Sequence, residues 1–295
     1  MLRRRLPTNF AGQMVTVSLG IVMVSIYVLH LGVEAYGLIA INAVLLGWVL
    51  VLHFGLSPTL CRELGSPRAG TGSKAEVGLL LEKMILATSA ILFVLSIFIA
   101  PYFAERWLNA STLLPSEIRP AFVLMMLTAT ARWLGAIYRG GVVGIDRQVA
   151  LAGIVITFAV LRVVLIMPII MIWPRIEFFF VWQLLAIVVE AAAMRTLLGR
   201  TFDIPFVSAR FSWRVLSSRA KLSLSIALAT MIWTCTAQID KIAPAKMLPL
   251  ADFAVFSLAT LLASGILLLA NPIQQAFIPR LTTGADGNVC SPLPR

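Results

Sequence analysis

Apolar runs of about twenty residues, separated by short polar breaks, set the pattern of this chain. They fall at about Phe10–Leu31, Leu38–Phe54, Leu79–Ile99, Pro120–Tyr138, Val149–Ile172, Phe178–Leu198, Leu222–Ile239 and Phe253–Ile278. A helix needs about 20 mostly apolar residues to cross the roughly 30 Å hydrocarbon layer. The pattern therefore predicts an all-α polytopic membrane protein with eight spans. The breaks carry turn chemistry. Gly65-Ser-Pro67 and Gly70-Thr-Gly-Ser73 are expected to stop a helix between spans 2 and 3. Pro101 is expected to end span 3, and Trp173-Pro-Arg-Ile-Glu177 to make a tight turn. Trp173 and Trp182 bracket that turn as interfacial anchors do.

Composition agrees with this pattern: 60% of the 295 residues are apolar and 13% charged. Soluble domains carry roughly 45–50% and 25%. Charge then fixes a predicted orientation. The connector Arg195–Lys221 holds Arg195, Arg200, Arg210, Arg214, Arg219 and Lys221 against the single acid Asp203. Lys and Arg resist translocation, so this segment is expected in the cytoplasm. With the N-terminus also inside, 17 of the 24 basic residues fall on the cytoplasmic side and five outside, and Arg132 and Arg162 lie within spans. Phe206, Phe211, Trp213 and Leu216 interleave with the connector's arginines, which suits either a helix lying on anionic lipid or a solvated loop. Met1-Leu-Arg-Arg-Arg5 resembles the start of a signal peptide, but the apolar run behind it is too long for one. It is expected to be a retained first span.

The +11 net charge would suit nucleic acid, yet the cations sit in loops between spans and no soluble basic domain carries them. No nucleic-acid partner is expected. Cys61, Cys235 and Cys290 are scattered singly, without zinc or disulfide spacing. No P-loop occurs, and Gly140, Gly141 and Gly144 follow a helix rather than a strand, so they make no dinucleotide site. They are expected to permit a tight turn or close helix packing. His30 and His53 are isolated. No Ser/His/Asp set converges on one loop, so no catalytic residue, cofactor or metal is expected. Asn109-Ala-Ser111 fits a glycosylation sequon in an outer loop.

The informative residues are charges inside apolar runs. An ionisable group near the bilayer centre costs at least about 2.5–3.5 kcal/mol, so it faces a cavity or a partner. At 1.5 Å per residue, Arg132 sits about 9 Å, Glu190 about 12 Å and Arg162 about 20 Å from the inner ends of their spans. Arg132 and Glu190 lie at similar depth and are expected to pair. Arg162 lies higher, with no acid at its level in the first six spans. Read functionally, these residues line a cationic cavity for an anion such as phosphate, whose oxygens fit the guanidinium fork. Read structurally, Arg132 and Glu190 pin helices together. Asp240 and Lys241 close span 7 at the outer face, either as solvated charges or as part of a ligand site or gate.

A repeat links the two halves. Glu34 stands 28 positions before Arg62, and Asp252 stands 28 positions before Arg280, each pair enclosing an aromatic residue and an apolar span. This suggests two lobes of the same direction. Leu31-Gly-Val-Glu-Ala-Tyr-Gly-Leu38, His53-Phe-Gly-Leu-Ser57 with Arg62-Glu63, Tyr138-Arg-Gly-Gly-Val-Val-Gly-Ile-Asp-Arg147, and Gln238-Ile-Asp-Lys241 with Leu248-Pro-Leu250 and Phe256-Ser-Leu-Ala259 carry a resemblance over about residues 9–282. Together they resemble polysaccharide-biosynthesis flippases of the O-antigen and exopolysaccharide type, within the multidrug/oligosaccharidyl-lipid/polysaccharide exporter superfamily.

The resemblance implies a six-helix lobe (1–198), a basic cytoplasmic connector (199–221), the first two helices of a second lobe (222–281) and a disordered tail (282–295). It implies a transporter, not an enzyme, in the bacterial inner membrane, moving a polyprenyl-diphosphate-linked oligosaccharide by alternating access during surface polysaccharide synthesis. Membrane lipids and other polysaccharide-assembly proteins are the implied partners, and Arg162, Arg132, Glu190, Asp240 and Lys241 the candidate cavity residues. Family members have twelve or more spans, whereas this chain stops after eight with a tail that reads like a truncation or frameshift, so transport by the chain alone is in doubt. The alternatives are a polymerase or glycosyltransferase of the same pathway, which would need a larger outer loop, and a drug or cation exporter, which would favour acids over arginines in its cavity.

Overall fold

In a computed structural model, residues 23–51, 56–65, 71–202, 228, 231–232, 235–236 and 238–268 are described. Helices α1 (residues 23–31), α2 (Val33–Val51), α3 (Leu56–Gly65), α4 (Thr71–Tyr102), α5 (Pro115–Gly144), α6 (Gln148–Ile172), α7 (Ile176–Phe202), α8 (residues 238–247) and α9 (Leu250–Leu268) follow in order, with a π turn, Phe103–Trp107, extending α4. No strand occurs among the described residues. Among the described residues, four stretches are long and apolar enough to cross a membrane: Val77–Trp107, Pro115–Gly144, Gln148–Ile172 and Ile176–Gly199. They correspond to spans 3 to 6. Spans 2 and 8 overlap the apolar helices Val33–Trp48 and Leu250–Ala263, which are shorter than the four above. Most of spans 1 and 7, the connector from residue 203 with its expected interfacial helix, and the tail lie outside the described residues.

α5 is the axis of the bundle. It packs against α2, α3, α4, α6 and α7 and buries Ile118, Met125, Trp133 and Ile137 almost completely. α6 is peripheral: it buries only Ile166 and Ile170 and leaves Ile156, Val160 and Val164 exposed. Such a face belongs against lipid, where apolar exposure carries no hydration penalty. Among the described residues the apolar interior forms two large clusters beside a small one of Val24, Tyr36 and Ala254. One cluster, around Leu38, Phe103, Ile118, Met125, Ile170, Phe180 and Phe253, lies toward Glu34. The other, around Leu64, Leu81, Trp133, Ile137, Val142, Met194 and Leu198, lies toward Arg195.

Several local expectations are corrected. The polar segment after span 2 contains α3, and α4 begins at Thr71, before the expected start at Leu79. Pro101 does not end span 3. Helical structure continues to Tyr102 and, as a π turn, to Trp107, where wider hydrogen-bonding relaxes the ladder that proline interrupts. The residues Arg139-Gly-Gly are helical, and only Ile145–Arg147 turns the chain into α6, with Asp146 in the left-handed region at φ 58°. The reason is packing. A Cβ at Gly140 would stand 2.5 Å from the Ser57 carbonyl oxygen, and one at Gly144 only 2.4 Å from that of Cys61. These glycines let α3 lie against the α5 backbone, and the Ser57 hydroxyl donates to the Ala136 carbonyl at 2.7 Å. The expected turn from His30 to Gly37 shrinks to Gly32, whose φ of +91° suits glycine.

At the opposite end, the loop after the π turn is tied down by Glu34. Its Oε1 accepts from the Ser111 amide at 2.9 Å and from the Ser111 hydroxyl. Its Oε2 accepts from the Thr112 amide at 2.8 Å, the Thr112 hydroxyl at 2.6 Å and the Leu113 amide at 3.0 Å. The same loop reaches the second half of the chain. Asn109 donates through its side chain to the Lys246 carbonyl at 3.1 Å, and its own carbonyl accepts from the Leu250 amide at 2.9 Å. The sequon residues Asn109 and Ser111 are thus engaged in the fold. The Leu114 amide donates to Glu117 at 3.1 Å, capping the first turn of α5.

Glu34 stands outside the apolar span that begins at Leu38. Burial pushes its carboxyl up, but hydrogen bonds from Ser111 and Thr112 together outweigh burial and lower it from 4.5 to about 2. A carboxyl held below its unfolded value stabilises the fold above that value and loses this contribution as pH falls through its folded one. The difference corresponds to roughly 3 kcal/mol. Wild-type protein in micelles should therefore lose thermal stability between about pH 4.5 and pH 2, and Glu34→Gln should flatten that dependence while lowering stability at neutral pH. Parallel pH profiles for the two proteins would refute the assignment. For the glycine contact, Gly144→Ala should destabilise by about 1–3 kcal/mol. Gly153→Ala, where a Cβ meets nothing within 4 Å, should be neutral or stabilising by up to about 1 kcal/mol. Unfolding of both variants in micelles provides the check.

Candidate functional site: a charged layer between two apolar clusters

Glu190 sits between the two apolar clusters, on α7. Its Oε2 accepts from Arg162 Nη2 of α6 at 2.7 Å, and its Oε1 faces Arg139 Nη2 of α5 at 3.4 Å. The Arg162 and Glu190 side chains are only 19% and 13% exposed, whereas Arg139 reaches out and is half exposed. Trp182 of α7 donates its indole N–H to the Arg162 carbonyl at 3.1 Å, fixing α7 against α6 one level further along. The indole is thus a partner within the bundle as well as a residue near the turn.

This arrangement overturns the expected Arg132–Glu190 pair and the expectation that Arg162 lacks an acid. Glu190 lies about 18 Å from the Phe202 end of α7, Arg132 about 18 Å from the Gly144 end of α5 and Arg162 about 21 Å from the Gln148 end of α6. All three stand near one level, so depth along a helix does not select the partner; the side chains that meet Glu190 are those of Arg162 and Arg139.

Arg132 nevertheless belongs to the same site. A cavity of about 380 Å³ is lined by Arg132, Arg139, Glu190, Trp133 and Ser57, with Gly47 and Ile187 among its apolar walls. Two guanidinium groups and one carboxylate therefore face this space. Arg162 stands behind Glu190 rather than on the wall. Arg132 makes no ion pair among the described residues. Two positive charges and one negative leave this lining with a net positive charge.

The helix does not end at Asp240 and Lys241. Both lie inside α8, which runs on to residue 247. Asp240 is exposed, while Lys241 lines a separate cavity of about 180 Å³ between α2, α8 and α9 with Tyr36, Gln238, Phe256, Ser257 and Thr260. The structure thus gathers Arg132, Glu190 and, behind it, Arg162 at one site, and leaves Asp240 and Lys241 at another place.

Sequence reasoning missed three contributors. Arg139 was assigned to a loop because two glycines follow it. Glu82 of α4 pairs with Arg195 Nε of α7 at 3.1 Å, and its other oxygen is buried without a hydrogen-bond partner among the described residues. Glu34 was noticed only for its place in a repeat. For Glu82 and Arg195 a signal existed: an acid and a cation each lie near the same end of a long apolar run.

No family model matches the chain, and no curated protein does. A solved structure named protein A matches over 95% of this chain and 64% of its own, with a TM-score of 0.63 and 19% identity. At that identity the likeness carries the fold alone, and this chain spans about two thirds of that one's length.

The pairing is testable by a double-mutant cycle. Arg162→Ala and Glu190→Ala should each destabilise the protein in micelles, and the double variant should lose less than their sum by about 1–3 kcal/mol. Arg132→Ala and Glu190→Ala should couple more weakly. Stronger coupling of Glu190 to Arg132 than to Arg162 would refute the assignment.

Proposed function

We propose that this chain forms a six-helix lobe and the opening helices of a second lobe of a membrane transporter for a lipid-linked oligosaccharide, with the N-terminus in the cytoplasm of a bacterium and the helices in its inner membrane. The cargo's diphosphate is held in the cavity on α5 and α7. The observation that carries this reading is the lining itself: Arg132 and Arg139 face the cavity against the single carboxylate of Glu190. Arg132 makes no ion pair among the described residues and Arg139 meets Glu190 only at 3.4 Å, which favours a phosphate-bearing ligand over a cationic one. The resemblance of the chain's motifs to polysaccharide-biosynthesis flippases supplies the sugar and the polyprenyl tail. The long lipid-facing surface of α6 is consistent with a cargo that keeps its tail in the bilayer.

The test uses the purified chain in micelles and a short soluble analogue, farnesyl diphosphate, followed by calorimetry. Binding should be measurable and should weaken at least tenfold in Arg132→Ala, the loss of one charge-assisted contact of about 1.5–3 kcal/mol. A farnesyl chain carrying a quaternary ammonium should not compete. Preference for the ammonium compound would overturn this reading in favour of a cation exporter.

A further inference from the structure

The carboxylate of Glu190 occupies the position that an anion would take. It lies between guanidinium groups from two other helices, one on each oxygen, at 2.7 Å from Arg162 and 3.4 Å from Arg139. It also forms part of the cavity wall, whereas Arg162 does not. The Arg162 Nε is buried and has no hydrogen-bond partner among the described residues, so this guanidinium is only partly satisfied by the acid in front of it.

We propose that Glu190 is a built-in occupant of the anion site: it screens Arg162 from the cavity and sets which anions can enter. This inference rests on the anion-cavity reading above. A tethered carboxylate has a high effective concentration at its own site. A monoanion that displaces it exchanges one negative charge for another and gains little. A dianion such as a diphosphate gains more, because it meets Arg132 and Arg139 at the wall and Arg162 once Glu190 swings aside. Glu190 therefore acts as a specificity residue. It rejects singly charged phosphates and carboxylates through competition and admits a diphosphate through surplus charge. The structure contains the parts this needs, since Arg139 is half exposed and the cavity of about 380 Å³ has room for a diphosphate beside the displaced side chain.

The probe is inorganic pyrophosphate, titrated into the full chain in micelles beside orthophosphate and farnesyl diphosphate. Glu190→Gln keeps the shape of the side chain and removes its charge. It should bind pyrophosphate roughly tenfold tighter than wild type and should bind orthophosphate almost as well, so that discrimination between the two falls. A gain seen with farnesyl diphosphate as well assigns the site to a lipid headgroup, and a gain with pyrophosphate alone assigns it to a free anion. Either supports the role of Glu190. If wild type binds and Glu190→Gln binds equally or more weakly, with unchanged discrimination, Glu190 is a structural partner only and the inference is overturned. If neither protein binds any of the three anions, the cavity reading itself falls and takes this inference with it. Should Glu190→Gln aggregate, Glu190→Asp replaces it. The shorter acid reaches Arg162 less well and should raise pyrophosphate affinity by roughly threefold, and an unchanged affinity would overturn the proposal.

Discussion

One carboxylate in a weakly screening interior constrains the middle of this bundle. Glu190 cannot be desolvated alone, because an unpaired buried charge costs several kcal/mol. It can be desolvated beside Arg162, and the largely buried Arg162 in turn needs it, whereas Arg139 is half exposed. That mutual requirement fixes the register of α6 against α7, since a slide of one turn would separate the partners by about 5 Å. Apolar packing cannot set such a register by itself. The exposed faces of α6 offer repeating Val, Ile and Leu that fit almost any height in lipid.

The two apolar clusters follow from the same constraint. Large side chains fill the space above and below the charged layer, around Phe103 and Phe180 on one side and Trp133 and Ile137 on the other. Neither cluster can close over Arg132, Arg139 and Glu190 without burying their polar atoms, so a cavity remains beside them. α5 crosses the whole arrangement. Its small residues Gly140 and Gly144 bring α3 close at one end, and Pro115 and Glu117 start the helix at the other. Between these ends it contributes two of the three arginines of the charged layer, spaced two turns apart on one face.

The helical class, the number of long apolar segments in the middle of the chain and the importance of Arg132, Arg162 and Glu190 were legible because composition and period report burial in lipid directly. Pairing was not legible, because Arg132, Arg162 and Glu190 stand near one level and depth does not say which side chains meet across neighbouring helices. A different difficulty hid Arg139. The glycines after it suited either a turn or close helix packing; packing is what occurs, and the helix passes through them. Asp240 and Lys241 were likewise taken for a helix end although α8 continues. A hydropathy window drops at a pair of charges whether or not the backbone stops there.

Glu34 shows a different limit. Its partners Ser111, Thr112 and Leu113 are some 77 to 79 positions away, so no local pattern could announce them. The geometry explains why an acid is needed. The loop after the π turn presents successive backbone amides and two hydroxyls to one point, and only an acceptor with two oxygens and a full charge can satisfy five donors at once. The same loop holds Leu250 and Lys246 through Asn109, so a single carboxylate orders the segment that joins the early helices to α8 and α9. Charge is therefore used twice in this chain, in opposite senses. At the end of the bundle a surplus of donors surrounds one acid and is wholly satisfied, which makes a rigid joint. In the middle, two guanidinium groups share one acid and a third stands beside them without an ion pair among the described residues, and that remaining demand is the basis of the proposed anion site.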